Sequence, residues 1–160
     1  MIRLCFRGRH IVRRRALVMA IINRTPDSFY DRGATYAEDR AMGAARRALD
    51  DGADILDVGG VKAGPGTPVD TAEEIRRVVP FVARLREEFP GAVISVDTWR
   101  SEVAASACEH GADLINDTWA GADPLIGDVV AAHSAGYVCT HTGGATPRTR
   151  PHRVQYADVV

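Results

Sequence analysis

The chain has 160 residues, 46% hydrophobic, 26% charged and 6% aromatic, with a formal charge of −1. That composition describes an ordinary globular chain with enough apolar side chains to bury a core. It argues against a disordered or low-complexity protein, and no apolar run approaches the roughly 20 residues that cross a bilayer.

The charge is unevenly spread. Residues 1–15 carry six arginines and no acid, a charge of +6 that leaves −7 for the rest. Arg3, Arg7, Arg9, Arg13, Arg14 and Arg15 precede the apolar run 16–22, an order that imitates a signal peptide. The run is short, however, and no small-residue cleavage site follows it. Residues 1–15 are therefore expected to be a basic, disordered extension, with an arm for an acidic surface as the lesser reading. No other basic cluster is interleaved with aromatics, which argues against nucleic-acid binding. Cys5, Cys108 and Cys139 are odd in number and far apart, without a CxxC pair. This points to a reducing, cytoplasmic setting with neither a disulfide framework nor a zinc site. Cys139, between apolar neighbours, is expected to be a buried structural thiol.

Beyond the head, short apolar runs alternate with longer amphipathic ones. Continuous runs at 17–22, 55–58, 93–96, 114–115 and 137–139 predict strands covered on both faces. The first helix is expected over 37–50, with Ala41, Ala44, Ala45, Ala48 and Leu49 on one side. The second spans 71–88, where Ile75, Val78, Val79, Val82 and Leu85 recur at helical steps and Thr71 with Glu74 fits a capping box. Helices over 101–110 and 124–134 complete the set, with Gly111 and Gly136 as stop signals. Gly52-Ala53-Asp54 and Gly111-Ala112-Asp113 repeat one step from helix into strand. Five β-α steps of this kind require a parallel sheet with right-handed crossovers.

Such a sheet is either open and doubly wound or part of a barrel. Asn23, Asp57, Asp97 and Asn116-Asp117 follow or close four of the runs, and His141 comes almost at once after the fifth. A barrel gathers those groups around one mouth, whereas an open sheet spreads them along an edge. The expected fold is α/β, a partial TIM (β/α)8 barrel of about five βα units over residues 16–160.

Three loops carry the candidate chemistry. Residues 23–31 mix a carboxamide, hydroxyls and carboxylates around Pro26, a set suited to an anion or a hydrated metal. A turn that caps the coming helix is the plainer reading of that stretch alone. The glycines of 57–66 let backbone N–H groups approach phosphate oxygens, without the GxGxxG spacing of a dinucleotide site. Lys62, the chain's only lysine, is read as solvated or phosphate-touching, since a Gly/Pro loop offers little of the desolvation a Schiff-base lysine needs. Asp97 and Asn116, ending adjacent strands, suit recognition of the donor–acceptor edge of a flat heterocycle. Each alone is more commonly a helix cap.

The stretches N-x-TPDSF over 23–29, DVGG over 57–60, Pro65-Gly66, SVDT over 95–98, Asn116-Asp117 and His141 together resemble the dihydropteroate synthase (pterin-binding) family. The resemblance covers nearly everything from 16 to 150. It implies a barrel of the pterin-binding type and a transferase of folate biosynthesis. In that reaction p-aminobenzoate displaces pyrophosphate from 6-hydroxymethyl-7,8-dihydropterin diphosphate, with Mg²⁺ on the pyrophosphate. By the same resemblance Asn23 holds metal and pyrophosphate, Asp97 and Asn116 bind the pterin edge, and Phe29 and Asp31 lie in the first loop, which closes over the centre. Asp31 and Asp97 are then the catalytic candidates, with Asn23, Phe29, Lys62, Asp97 and Asn116 in contact with substrate. The chemistry fits: pyrophosphate leaves as its charge is neutralised, and a carboxylate stabilises a cationic pterin.

The chain also departs from that pattern. The family's second loop usually reads Glu-Ser-Thr-Arg-Pro-Gly, where this chain has Val61-Lys62-Ala63-Gly64-Pro65-Gly66. Arg24 and Tyr30 replace smaller residues, and Arg32 stands where glycine is usual. The sequence stops soon after its fifth strand, which reads as a C-terminally truncated barrel. These features resemble a divergent second, actinobacterial branch of the family and argue against full activity. Two rival expectations remain. One is a non-catalytic pterin-binding or regulatory partner protein using Arg24, Tyr30 and the basic head. The other is a non-functional gene fragment whose bare strand edges favour a homodimer or a partner chain.

Overall fold

A computed structural model describes residues 1–25, 34–142 and 145–149, with the backbone alone at 34–37. The elements run β1 (Ile2–Phe6), β2 (Arg9–Arg13), β3 (Met19–Asn23), α1 (Ala34–Asp50), β4 (Ile55–Gly59) and α2 (Thr71–Glu88). They continue with β5 (Val93–Asp97), α3 (Ser101–Glu109), β6 (Leu114–Asp117), α4 (Ile126–Ala132) and β7 (Gly136–Cys139).

Strands β3 to β7 pair in parallel, in unbroken sequence order. An order that never reverses keeps every right-handed crossover on one side of the sheet. This is barrel winding, and it excludes the doubly wound alternative, which needs a switch point. Ile22, Leu56, Val58, Ile94, Val96 and Ile115 face the helices and close the main core. Against them α2 presents Val78, Val82 and Leu85, the apolar stripe visible in the sequence, each fully buried. Burial of such a side chain contributes about 2 kcal/mol.

The opposite face needs another cover, and at its N-terminal end the basic head supplies it. The disorder expected for residues 1–15 is not found there. β1 and β2 form an antiparallel hairpin that pairs Ile2 with Arg13 and Phe6 with Arg9. Arg7 and Gly8 turn it with φ of 48° and 78°, the left-handed pair a two-residue hairpin requires. Phe6 and Ile11 then pack on Ile55, Val93 and Leu114 from inside the sheet. A Cβ at Gly136 would stand 2.3 Å from the Phe6 ring, so that glycine admits the plug.

The arginines are neutralised from below. Arg9 donates to Asp113 at 2.8 Å, and Arg13 and Arg15 donate to Asp54 at 2.8 and 2.5 Å. Arg7 donates to the carbonyls of Cys108 and Ala112 at 2.6 and 2.7 Å. Both acceptor carboxylates end a Gly-Ala-Asp repeat whose glycine is left-handed, at φ 94° for Gly52 and 114° for Gly111. Each also accepts a backbone N–H at 3.0 Å, Asp54 from Val18 just before β3 and Asp113 from Ile94 within β5. Burial opposes ionisation of Asp54, but the Val18 N–H and the Arg15 and Arg13 guanidiniums hold it below the usual carboxylate range. Arg7, Arg9, Arg13 and Arg15, engaged in this way, form the floor of the barrel.

Three local expectations change. Asp70, not Thr71, caps α2 by accepting from the Glu73 N–H at 2.8 Å, while Glu74 turns into the core. Ser134 takes the left-handed turn after α4, at φ 51°, and Gly136 opens β7 instead of ending the helix. Cys139 is exposed because β7 is an edge strand, whereas Cys108 is buried and burial pushes its thiol up to about 11. Among the described residues β3 and β7 are the two sheet edges, and Ile21 and Val138 stay exposed on the inward face. No helix there is long and apolar enough to cross a membrane.

Asp113 is 3% exposed and also receives Arg86 at 2.5 Å. Asp113→Ala strands two guanidiniums and a strand N–H, and is expected to destabilise the fold by about 3 kcal/mol in urea titration. Glu88→Ala at the exposed Arg46–Glu88 pair should cost below about 1 kcal/mol; equal losses would contradict the floor described above.

Candidate functional site

Register aligns Asn23, Gly59, Asp97, Asn116 and Val138 in one row across the C-terminal end of the sheet. One step below lies the row Ile21, Asp57, Ser95, Leu114 and Gly136. Because side chains alternate along a strand, both rows point inward while Ile22, Val58, Val96 and Ile115 point to the helices. The structure thus brings Asn23, Asp97 and Asn116 to one mouth, as their positions at strand ends suggested.

Gly59 leaves the gap between two of them. A Cβ there would be 3.7 Å from Asn23 Oδ1 and 3.8 Å from Asp97 Oδ2, so both oxygens border the same small space. Asp97 accepts from the Thr118 hydroxyl at 3.3 Å. Burial pushes the Asp97 carboxyl up to about 7, with the Asp57 charge adding to the effect and Thr118 opposing it. Asn116 donates from Nδ2 to Asp57 Oδ2 at 3.1 Å. Asp57 stands inside β4, one layer beneath the mouth, where it is 4% exposed. Burial pushes its carboxyl up as well, and the nearby Ser95 hydroxyl and Asn116 amide offset that only in part. The neighbour of Asn116 serves differently. Asp117 accepts from the Trp119 and Gly121 N–H groups and from the Tyr137 hydroxyl, at 2.7, 2.7 and 2.8 Å, and so shapes the β6–α4 turn.

Lys62 is exposed and shares a cavity of about 210 Å³ with Thr25, Arg77 and Arg148. Arg77 is paired with Glu73 at 2.6 Å, and Arg148 donates to Thr67 O at 2.9 Å. Ala63 and Gly64 border a separate cavity of about 460 Å³ with Trp119, His141 and Thr142.

Sequence reasoning missed Arg148, which carries no local signal, and it missed the tie that steadies the second loop. Arg100 pairs with the fully buried Glu74, donates to Val69 O at 2.7 Å and lies 4.5 Å from the Trp99 ring centroid. Glu74 had looked like half of a capping box. Arg24, read as a group for another chain, instead lies 4.8 Å from the ring centroid of buried Phe81, where burial lowers its pKa. Phe29, Tyr30, Asp31 and Arg32 fall outside the described residues. Among the described residues no group of three or more His, Cys, Asp and Glu side chains is arranged to hold a metal ion.

The family model for pterin binding enzymes matches residues 19–160. Inactive dihydropteroate synthase 2 of Mycobacterium tuberculosis is 61% identical over 149 residues, which cover 93% of this chain and 47% of that relative. Dihydropteroate synthase of Staphylococcus haemolyticus is 48% identical over 128 residues, covering 79% and 47%. A solved structure of Xanthomonas albilineans dihydropteroate synthase with 4-aminobenzoic acid matches with a TM-score of 0.81 at 40% identity, covering 89% of this chain and 52% of that one. The chain thus spans about half the length of the curated relatives it matches.

The raised Asp97 pKa has a consequence for stability. The folded chain keeps this proton up to about pH 7, whereas the ordinary carboxyl releases it near 3.8. Stability therefore falls as pH rises through that window. Asp97→Asn lacks this loss and should exceed the parent by about 2 kcal/mol at pH 8 but not at pH 4, measured by urea unfolding. A difference independent of pH would rule the buried carboxyl out as its source.

Proposed function

We propose, on the premise that this chain belongs to the pterin-binding enzyme family, that its barrel mouth binds a dihydropterin diphosphate. The observation that carries the reading is the shared register row of Asn23, Asp97 and Asn116, with a cavity lined by Thr25 and Lys62, from the loops that follow β3 and β4, and by Arg77 and Arg148. A flat heterocycle needs in-plane partners at one edge and a charged tail needs cations a short way off. This mouth offers both.

Each group then has a task. Asp97 and Asn116 take the pterin edge, and the carboxylate of Asp97 stabilises positive charge as it develops on the ring. Lys62 and Arg148 take the diphosphate, in place of the hydroxyl and guanidinium that the family's second loop usually supplies at 63 and 64. Phe29 and Asp31 keep the roles implied by the resemblance, closure over the pterin and assistance to the reaction. The reaction so served is condensation with p-aminobenzoate, as the family resemblance implies; the related Xanthomonas albilineans synthase is solved with 4-aminobenzoic acid.

Mg²⁺ fits this donor set. Asn23 Oδ1 is a hard oxygen bordering the gap at Gly59, and magnesium draws most of its other ligands from phosphate and water. Asn23 would hold it, and the ion would neutralise charge on the departing pyrophosphate. Ala63, Gly64 and the similarity to a relative named inactive support a site that binds the diphosphate more readily than it turns it over.

Calorimetry with 6-hydroxymethyl-7,8-dihydropterin diphosphate and Mg²⁺ tests the reading. Lys62→Ala and Arg148→Ala should each weaken binding by about tenfold, while the same pterin without its diphosphate binds the variants and the parent alike. No heat at millimolar ligand would sink the proposal.

A further inference from the structure

Asp57 makes none of the contacts proposed for the ligand, yet it is costly to keep. It is 4% exposed, and its Oδ1 and the Oγ of the fully buried Ser95 make no hydrogen bond of good geometry, although the hydroxyl lies close enough to lower the carboxyl's pKa. Buried polar atoms without partners destabilise a fold, and an apolar side chain of similar shape is often as stable or more so. Packing therefore gives no reason for a carboxylate at this position. Its one hydrogen bond of good geometry does: it accepts from Asn116 Nδ2 at 3.1 Å.

An ionised carboxylate only accepts, whereas a carboxamide donates at one end and accepts at the other. Beside Asp57 the amide has one tolerable orientation, since a flip would set oxygen against oxygen. With Nδ2 held down, Oδ1 is left for the mouth. Asp97, next to Asn116 in the same row, also presents oxygen there.

We propose that Asp57 is a positioning residue that locks the Asn116 carboxamide with its oxygen toward the mouth, so that Asn116 and Asp97 select a heterocycle edge rich in N–H donors. The inference rests on the pterin reading above and deepens it by naming what sets the polarity of recognition. An edge that offers a carbonyl where the pterin offers an amino group is discriminated against, because oxygen would face oxygen.

The test uses the whole chain with three substitutions. Asp57→Val and Asp57→Ser release the amide; Asp57→Asn keeps an acceptor of the same shape. Three measurements are made: affinity for 6-hydroxymethyl-7,8-dihydropterin, affinity for the matching 2,4-dioxo pteridine, and the urea midpoint. The Val and Ser variants should lose about tenfold in pterin affinity and most of the preference over the dioxo compound, while Asn retains both. The midpoint of the Val variant should hold or rise, which a merely structural aspartate would not allow. If Val does not fold, Ser carries the comparison, read also from the Asn116 side-chain amide resonances, which should shift on release. Unchanged affinity and preference in Val or Ser, or amide resonances that do not move, overturns the role of Asp57 alone. Failure of the unaltered chain to bind either pteridine overturns the pterin reading, and the recognition role with it.

Discussion

Two buried carboxylates, Asp54 and Asp113, hold the floor on which the rest of the sheet stands. Each sits where a helix has ended on a left-handed glycine and the chain turns up into or alongside a strand. Each accepts a backbone N–H and then meets a guanidinium from the hairpin, Arg13 at Asp54 and Arg9 at Asp113. Taking either sign of charge out of water alone costs several kcal/mol, so hairpin and carboxylates need one another. The consequence reaches the far end of the sheet. Side chains alternate with a period of two, and a slip of one residue would turn Asn23, Asp97 and Asn116 toward the helices. Register fixed at the floor is what delivers them to the mouth.

The two ends of the barrel treat the same residue type in opposite ways. Asp54 is held low because an N–H and two guanidiniums outweigh its burial. Asp57 is pushed up by burial, and Asp97 by burial and then by the Asp57 charge. Sequence alone gives no hint of this split, since all three are aspartates beside apolar strands. A fold tolerates polar groups in such condition where their chemistry is used. The direction of the shifts accords with the proposed use of the C-terminal end.

What was legible in the sequence was local. Apolar runs, helical stripes and the Gly-Ala-Asp repeat each lie within a few residues, and they led to the parallel, sequence-ordered sheet. Asn23, Asp97 and Asn116 were visible because a polar residue at or next to the C-terminal end of an apolar run reveals its position directly. The hairpin was not, since its arginines look solvated until Asp54 and Asp113, distant in sequence, are placed beneath them. Arg148 beside Lys62 and Arg100 beside Glu74 were hidden for the same reason. Cys139 was misjudged because an apolar run does not disclose whether its strand is central or at an edge.

On the proposed reading, the second loop separates binding from turnover on one scaffold. Removing a guanidinium at position 64 removes a fork that holds phosphate oxygens in fixed directions, whereas lysine at 62 supplies a point charge on a flexible stem. Arg148 restores a guanidinium to the neighbourhood, but one of its nitrogens is committed to Thr67 O. Charge without fixed direction attracts a diphosphate in its ground state as well as in departure. Such uniform attraction tightens binding and leaves the barrier to bond breaking nearly where it was. On the proposed reading, a chain that keeps the pterin row and replaces the forked anion contacts with diffuse ones retains its ligand and loses rate. That is the order in which an enzyme of this kind would become a binding protein.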